Sequence, residues 1–155
     1  MKLDIGGLKG QHEDFLAVNI TDKGDIQHDL SKFPWPFKDN SIDRVLIDNV
    51  LEEDSMPPFR QVMAEVWRIC KNRTFVYISV PNWKDDLGSN PWHNKIFKPE
   101  MFRYLNRDYA EKTLMKGEEA FWMPFNFFVR RIEYTKGRIR FWKKYNLNVV
   151  LEVIK

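Results

Sequence analysis

The chain has 155 residues, 43% of them hydrophobic and 30% charged, with a net charge of +3. Such a composition excludes a disordered chain and fits one globular domain spanning residues 1–155. No apolar run approaches the roughly 20 residues of a membrane span, no long apolar stretch near residue 1 reads as a secretory signal, and a single cysteine, Cys70, excludes an internal disulfide, so a cytoplasmic protein without membrane contact is expected.

Residues 3–5 form a brief apolar strand that runs into a glycine-dense loop, in the stretch KLDIGGLKG. Gly6 and Gly7 let the backbone turn sharply and bring its N–H groups close to a ligand. Residues 15–20 and 44–47 are further short apolar runs bounded by Gly, Asp or Asn, as buried parallel strands are. Only residues 6–14 separate the first two strands, too few for more than one helical turn. The first crossover helix is therefore shortened or absent, and one sheet face lacks its cover.

Asp29 follows another short strand and precedes a Pro-aromatic loop, FPWPF. From 55 to 71 the period changes. Phe59, Val62, Met63, Val66, Ile69 and Cys70 fall at helical spacing, with Ser55 as N-cap, Pro57 and Pro58 in the first turn and Arg68 in the last. Residues 74–80 read as a strand stopped by Pro81, and KPEMFRYLNRD as a second helix. Residues 127–134 and 148–154 supply two more strands. The alternation spells an α/β sheet with right-handed crossovers.

Charge and aromatic residues concentrate late in the chain. Between 128 and 145 stand Arg130, Arg131, Lys136, Arg138, Arg140, Lys143 and Lys144 against Glu133 alone, so this segment carries +6 and the rest of the chain −3. The stripe is either a solvated strand face or a dock for an acidic partner or substrate. FWMPFNFF at 121–128 is the densest aromatic run. It folds back as ordinary core, or it forms a lid or subunit interface. A homo-oligomer in contact around Phe121, Trp122 and Phe125 is the expectation, with 105–155 as the substrate- or oligomer-facing part. His12, Glu13 and Asp14 cluster in one loop and His28 with Asp29 in another. Neither has a recurrent ligand spacing, so no metal site is expected.

LDIGG, DIQHDL, FPWPFKDNSIDRVLIDNVLEE, EVWRICK and YISVPN, in this order and spacing, resemble the small class I, Rossmann-like S-adenosylmethionine-dependent methyltransferases. PWHNKIFKPEMFRYL resembles the segment after the fifth strand in a compact branch of that family. The resemblance covers about the first 105 residues. It implies a minimal Rossmann-like, mostly parallel sheet and S-adenosylmethionine as cofactor. By position, Asp4, Gly6, Gly7 and Gly10 match the loop at the cofactor's methionine end, and Asp29 matches the acid that takes the adenine amino group, with Leu30 beside the ring. Asn49 matches the position near the sulfonium and the incoming substrate.

Three departures stand out. Leu8 replaces a loop glycine and would crowd the cofactor. Asn19 replaces the acid that grips the ribose diol, and a neutral amide grips it less strongly. NVLEE stands where relatives carry histidines, which leaves Glu53, Asp48 and His93 as candidate proton acceptors beside Asn49. The resemblance implies a methyltransferase of unidentified substrate. The alternatives are a catalytically degenerate binding or scaffolding subunit, favoured by these departures, and a nucleic-acid-binding module using the basic stripe.

Overall fold

The computed structural model describes residues 1–82, 93, 95–113, 123–139 and 142–155, and for 136–139 and 142–145 their backbone pairing alone. Its strands are β1 (Lys2–Ile5), β2 (Leu16–Asn19), β3 (Ile26–Gln27), β4 (Ile42–Asp48), β5 (Cys70–Pro81), β6 (Phe127–Ile139) and β7 (Trp142–Val153). They form one seven-stranded sheet in the order β3-β2-β1-β4-β5-β7-β6. Five strands run parallel, and β7 pairs antiparallel with both β5 and β6. This is the minimal Rossmann-like, mostly parallel α/β sheet that the resemblance implied.

Residues 6–15 contain turns and no helix, so the first crossover helix is absent. Its replacement is a strap pinned toward its C-terminal end. His12 Nδ1 lies 2.9 Å from Asp4 Oδ2, and Lys2 Nζ donates to Asp14 Oδ2 at 3.2 Å.

Helix α1 (Phe59–Ile69) buries Val62, Met63, Val66 and Ile69. They join one core cluster with Leu3, Ile5, Val45, Ile47, Val76, Ile78, Val149 and Leu151 from the sheet. The helix starts later than the sequence predicts. Pro58 is its N-cap residue, without a side-chain cap, because each proline holds its predecessor out of the helical region. Ser55 therefore caps nothing. The second predicted helix is two, α2 (Pro99–Arg103) and α3 (Arg107–Thr113). Asn106 divides them, since its side chain accepts from Tyr109 N–H at 3.0 Å and starts α3 as a cap does. Phe102 of α2 stacks on Phe97, and both meet Phe59 of α1 edge-on.

The two sheet faces differ. Register sets Arg44 beside Phe75, and Phe75 and Phe128 on either side of Glu152. Arg44 is exposed, Phe75 is 38% exposed and Phe128 46%. The run 44–47 is thus an alternating strand with one wet face, not a strand buried on both. Among the described residues of the aromatic tail, Phe128 lies on that face and Phe125 and Phe127 do not. Phe125 and Phe127 are fully buried in the core that α1 covers. Phe125 is therefore enclosed by its own chain rather than offered to a second copy, while Phe121 and Trp122 lie outside the described residues. No described helix is long and apolar enough to cross a membrane.

Candidate functional site

In an open α/β sheet the ligand crevice lies beyond the carboxyl ends of the strands. Here a cavity of about 140 Å³ opens at the ends of β1, β2 and β4. Gly6, Asn19, Ile20, Asp29, Leu30, Val50, Glu53, Ser55 and Met56 contribute to its wall.

Gly6 sits at φ +81°, a conformation that a side chain strains. The first cofactor-loop acid, Asp4, is 2% exposed, and its Oδ1 has no hydrogen-bond partner. Gly7 lies so close that any side chain there would collide with the Asp4 carboxylate. Gly10 also has positive φ but stands in open space and does not line the cavity.

Asn19 reaches the cavity, but its amide is engaged. It donates to the Gly6 carbonyl at 3.2 Å and the Gly7 carbonyl at 3.0 Å, and its Oδ1 accepts from the Thr21 N–H and hydroxyl. The residue thereby ties β2 to the glycine loop. Crowding comes from an unexpected residue. Leu8 is 48% exposed and is not part of the cavity wall, whereas a side chain at Gly6 would meet Val50 Cγ2 at 2.5 Å.

The opposite wall is built by the turn after β3. Asp29 Oδ1 accepts from the Ser31 N–H at 2.9 Å and hydroxyl at 2.7 Å. These bonds, before any charge effect, hold the Asp29 carboxyl below its ordinary range. Leu30 is nearly buried, and its carbonyl accepts from Trp35 Nε1 at 3.1 Å. The Pro-aromatic loop is held in turn by α1. Arg68 donates to the carbonyls of Trp35 and Phe37, and Glu65 accepts from Arg68 and from the Trp35 N–H.

Asn49 takes φ +52°, which asparagine tolerates better than most residues. Its amide donates to Asp48 Oδ1 at 2.7 Å and its own oxygen accepts from Asn146 Nδ2 at 3.2 Å. It stands at the rim beside Val50 and is not part of the cavity wall.

Glu53 and His93 are brought together by an antiparallel backbone bridge, with Oε1 and Nε2 3.6 Å apart. The Glu52 carboxylate joins them, the three groups lying within 4.8 Å of one another. Lys95 donates to the Glu53 and Met56 carbonyls at 2.9 and 2.8 Å, and burial pushes its ammonium below its ordinary range. The sequence clusters weighed as metal ligands are dispersed instead. His12 binds Asp4, Asp14 pairs with Lys2, and His28 meets the Lys32 carbonyl.

Ile20, Ser31, Val50, Ser55 and Met56 in the wall, and Asn146 behind Asn49, are the site residues that sequence reasoning missed. Val50 carried a faint signal, following directly on Asn49. Asn146 carried none, because its place depends on the pairing of β7 with β5.

No protein-family model matches this sequence, and no curated protein matches it. Solved structures do. The YcgJ protein of Bacillus subtilis aligns with TM-score 0.65 at 9% identity, over 99% of this chain and 92% of its own. A SAM-dependent methyltransferase of Archaeoglobus fulgidus aligns with TM-score 0.65 at 14% identity, over 97% and 85%. The [4+2]-cyclase SpnF also reaches 0.65, at 12% identity over 99% and 75%. At such identities the likeness is one of fold. It establishes the class I, Rossmann-like methyltransferase fold and leaves the chemistry to the site.

Proposed function

We propose that this chain, having the class I methyltransferase fold, binds S-adenosylmethionine in the cavity at the ends of β1 and β2 and transfers its methyl group to a substrate. One observation carries the reading. The cavity joins a glycine at φ +81°, the Asp29 carboxylate and the apolar Leu30 and Ile20 side chains.

The residues present fit the adenosine end of that cofactor. Asp29 Oδ2, unengaged among the described residues, accepts from an exocyclic amine, and Leu30 and Ile20 flank a flat ring. Asp4 Oδ1 is a buried acceptor without a donor, suited to the cofactor's ammonium. Fit at the centre is tighter. A cavity of about 140 Å³ is below the roughly 300–1,000 Å³ of sites for drug-sized ligands, and Val50 is the side chain against Gly6. Binding therefore includes a rotation of Val50.

When bound, the cofactor supplies an electrophilic methyl group on a sulfonium. The chain's part is to align the acceptor and exclude water. Glu53 accepts a proton where the nucleophile must lose one, and His93 Nε2, 3.6 Å from it, takes that proton onward as an imidazolium. Asn49, held by Asp48 and Asn146, orients the acceptor at the rim.

Calorimetric titration with S-adenosylmethionine and its demethylated product tests the reading. Saturable binding that Gly6→Val abolishes and Asp29→Ala weakens is expected. Absence of binding to both ligands overturns it and leaves the scaffolding subunit.

A further inference from the structure

At the cavity rim the donor and acceptor ends of the side chains follow in order from one carboxylate. Asp48 Oδ1 only accepts, so the Asn49 atom 2.7 Å from it is the amide nitrogen. The Asn49 oxygen then faces Asn146, whose nitrogen donates to it at 3.2 Å and to Ser79 Oγ at 2.7 Å. Both Asn146 amide protons are thereby engaged. Its own oxygen, Oδ1, is buried and has no donor. A buried acceptor in that state is costly, and a ligand N–H brought to the rim removes the cost.

Two more acceptors belong to the same rim. Asp48 Oδ2 is unengaged among the described residues. Glu53 lies on the cavity wall with its side chain 44% exposed. Its N–H donates to the Val50 carbonyl at 3.2 Å, in a turn that folds Glu53 back toward Asn49. The Asn49 N–H donates to the Ser79 carbonyl at 2.8 Å and holds the end of β4 against β5.

The stretch 48–54, DNVLEED, has four carboxylates and no basic residue. Lys95 brings one positive charge near Glu52, Glu53 and Asp54, and its ammonium is held by the Glu53 and Met56 carbonyls. An anionic acceptor meets repulsion here. The two arginines of the basic stripe whose side chains are described are already paired, Arg130 with Glu152 and Arg131 with Glu133. A neutral hydroxyl brings one proton to the three acceptors Asp48, Glu53 and Asn146. A primary ammonium brings three protons and a positive charge.

We propose that the methyl acceptor is a primary amine, which arrives as its ammonium and is held by Asp48 Oδ2, Asn146 Oδ1 and Glu53. Its role as acceptor rests on the methyltransferase reading; capture of an ammonium at this rim does not. One ammonium proton passes to Glu53 and on to His93 Nε2, 3.6 Å away. The two remaining N–H groups keep their bonds to Asp48 and Asn146. The freed nitrogen pair forms the N–C bond, and the pair of the breaking C–S bond stays with sulfur as a neutral thioether. The product is a secondary ammonium, and one proton remains on the protein.

The test is an amide NMR titration of the full chain with n-butylamine, n-butanol and butyrate at equal concentration. The side-chain amide signals of Asn49 and Asn146 report the rim, and saturable shifts with butylamine alone are expected. Asp48→Asn and Glu53→Gln keep the shape of each side chain and should each weaken butylamine about ten-fold or more, the loss of a hydrogen bond to a charged group. Asn146→Ala should weaken it by a similar factor, read from the Asn49 signals. Calorimetric affinity for S-adenosylmethionine should stay constant in Asp48→Asn and Asn146→Ala.

Equal shifts with butanol or butyrate overturn the proposal, and so does butylamine binding indifferent to all three variants. Cofactor binding without any butylamine shift at the rim also overturns it and leaves the methyltransferase reading intact. Butylamine binding in a protein that fails to bind cofactor keeps the ammonium site and removes the methyltransferase reading, and with it the amine's role as acceptor.

Discussion

Val50 and Asn19 change how single residues of the glycine loop are understood. The bulk against Gly6 belongs to Val50, from the end of β4, so Val50→Ala should tighten cofactor binding by a few fold. Leu8→Gly should leave it unchanged, because Leu8 is exposed; calorimetry on the two variants separates these roles. Asn19 invites replacement by the acid that relatives carry. Its two donated bonds go to the Gly6 and Gly7 carbonyls, and a carboxylate there faces two acceptors without a proton. Asn19→Asp should therefore destabilise the fold by about 1–3 kcal/mol, measured by urea denaturation, instead of improving the ribose grip. Asp29 is held below its ordinary value of 3.8 by Ser31. A folded pKa below the unfolded one means its stabilising contribution is present above that value and lost as pH falls through the lower folded one. Ser31→Ala should raise the Asp29 carboxyl toward 3.8 in an NMR titration.

At the scale of elements, α1 does more than cover the sheet. Its Arg68 and Glu65 anchor the Pro-aromatic loop, whose Trp35 holds the Leu30 carbonyl at the cavity wall. Those contacts push the Arg68 guanidinium's pKa up, Glu65 being the chief cause. Arg68→Met leaves Glu65 buried without its partner. Breaking a fully buried pair costs roughly 3–5 kcal/mol. Arg68 keeps some solvent contact, so a loss of about 2 kcal/mol is expected, read as a lower denaturation midpoint at unchanged slope. Cofactor affinity should fall with it, because Trp35 of that loop holds the Leu30 carbonyl. The helix periodicity at Phe59, Val62, Met63, Val66 and Ile69 was legible because burial follows a stripe. Its start was not, since Ser55 and the two prolines offered competing signals and backbone restriction at the prolines prevailed. Likewise Asn106 looks like an interior residue of one helix until its side chain is seen capping the next.

For the molecule as a whole, the absent first crossover helix was plain arithmetic on residues 6–14, but what replaces its cover was not. Phe125 and Phe127 of the aromatic tail join the core under α1, and the opposite face keeps Arg44, Phe75 and Phe128 in contact with water. Phe125 is fully buried within its chain. Phe125→Ala should therefore cost about 3–5 kcal/mol of stability without changing the mass seen by light scattering across a dilution series. A change in mass with unchanged stability would place Phe125 at a contact between copies.

The sequence by itself determined the order of the strands, the α1 stripe, the glycine turn after β1 and the acid after β3, though β5, β6 and β7 run several residues longer than expected. Each of these depends on neighbours within a few residues, through the two-residue and 3.6-residue periods and the backbone freedom of glycine. Only the tertiary structure decided that Glu53 meets His93, that Asn146 holds Asn49 and that Val50 lies on Gly6. Those three facts depend on which strands pair and in what register. Register is set by burying one continuous core, and no local pattern encodes which distant side chains that burial brings together.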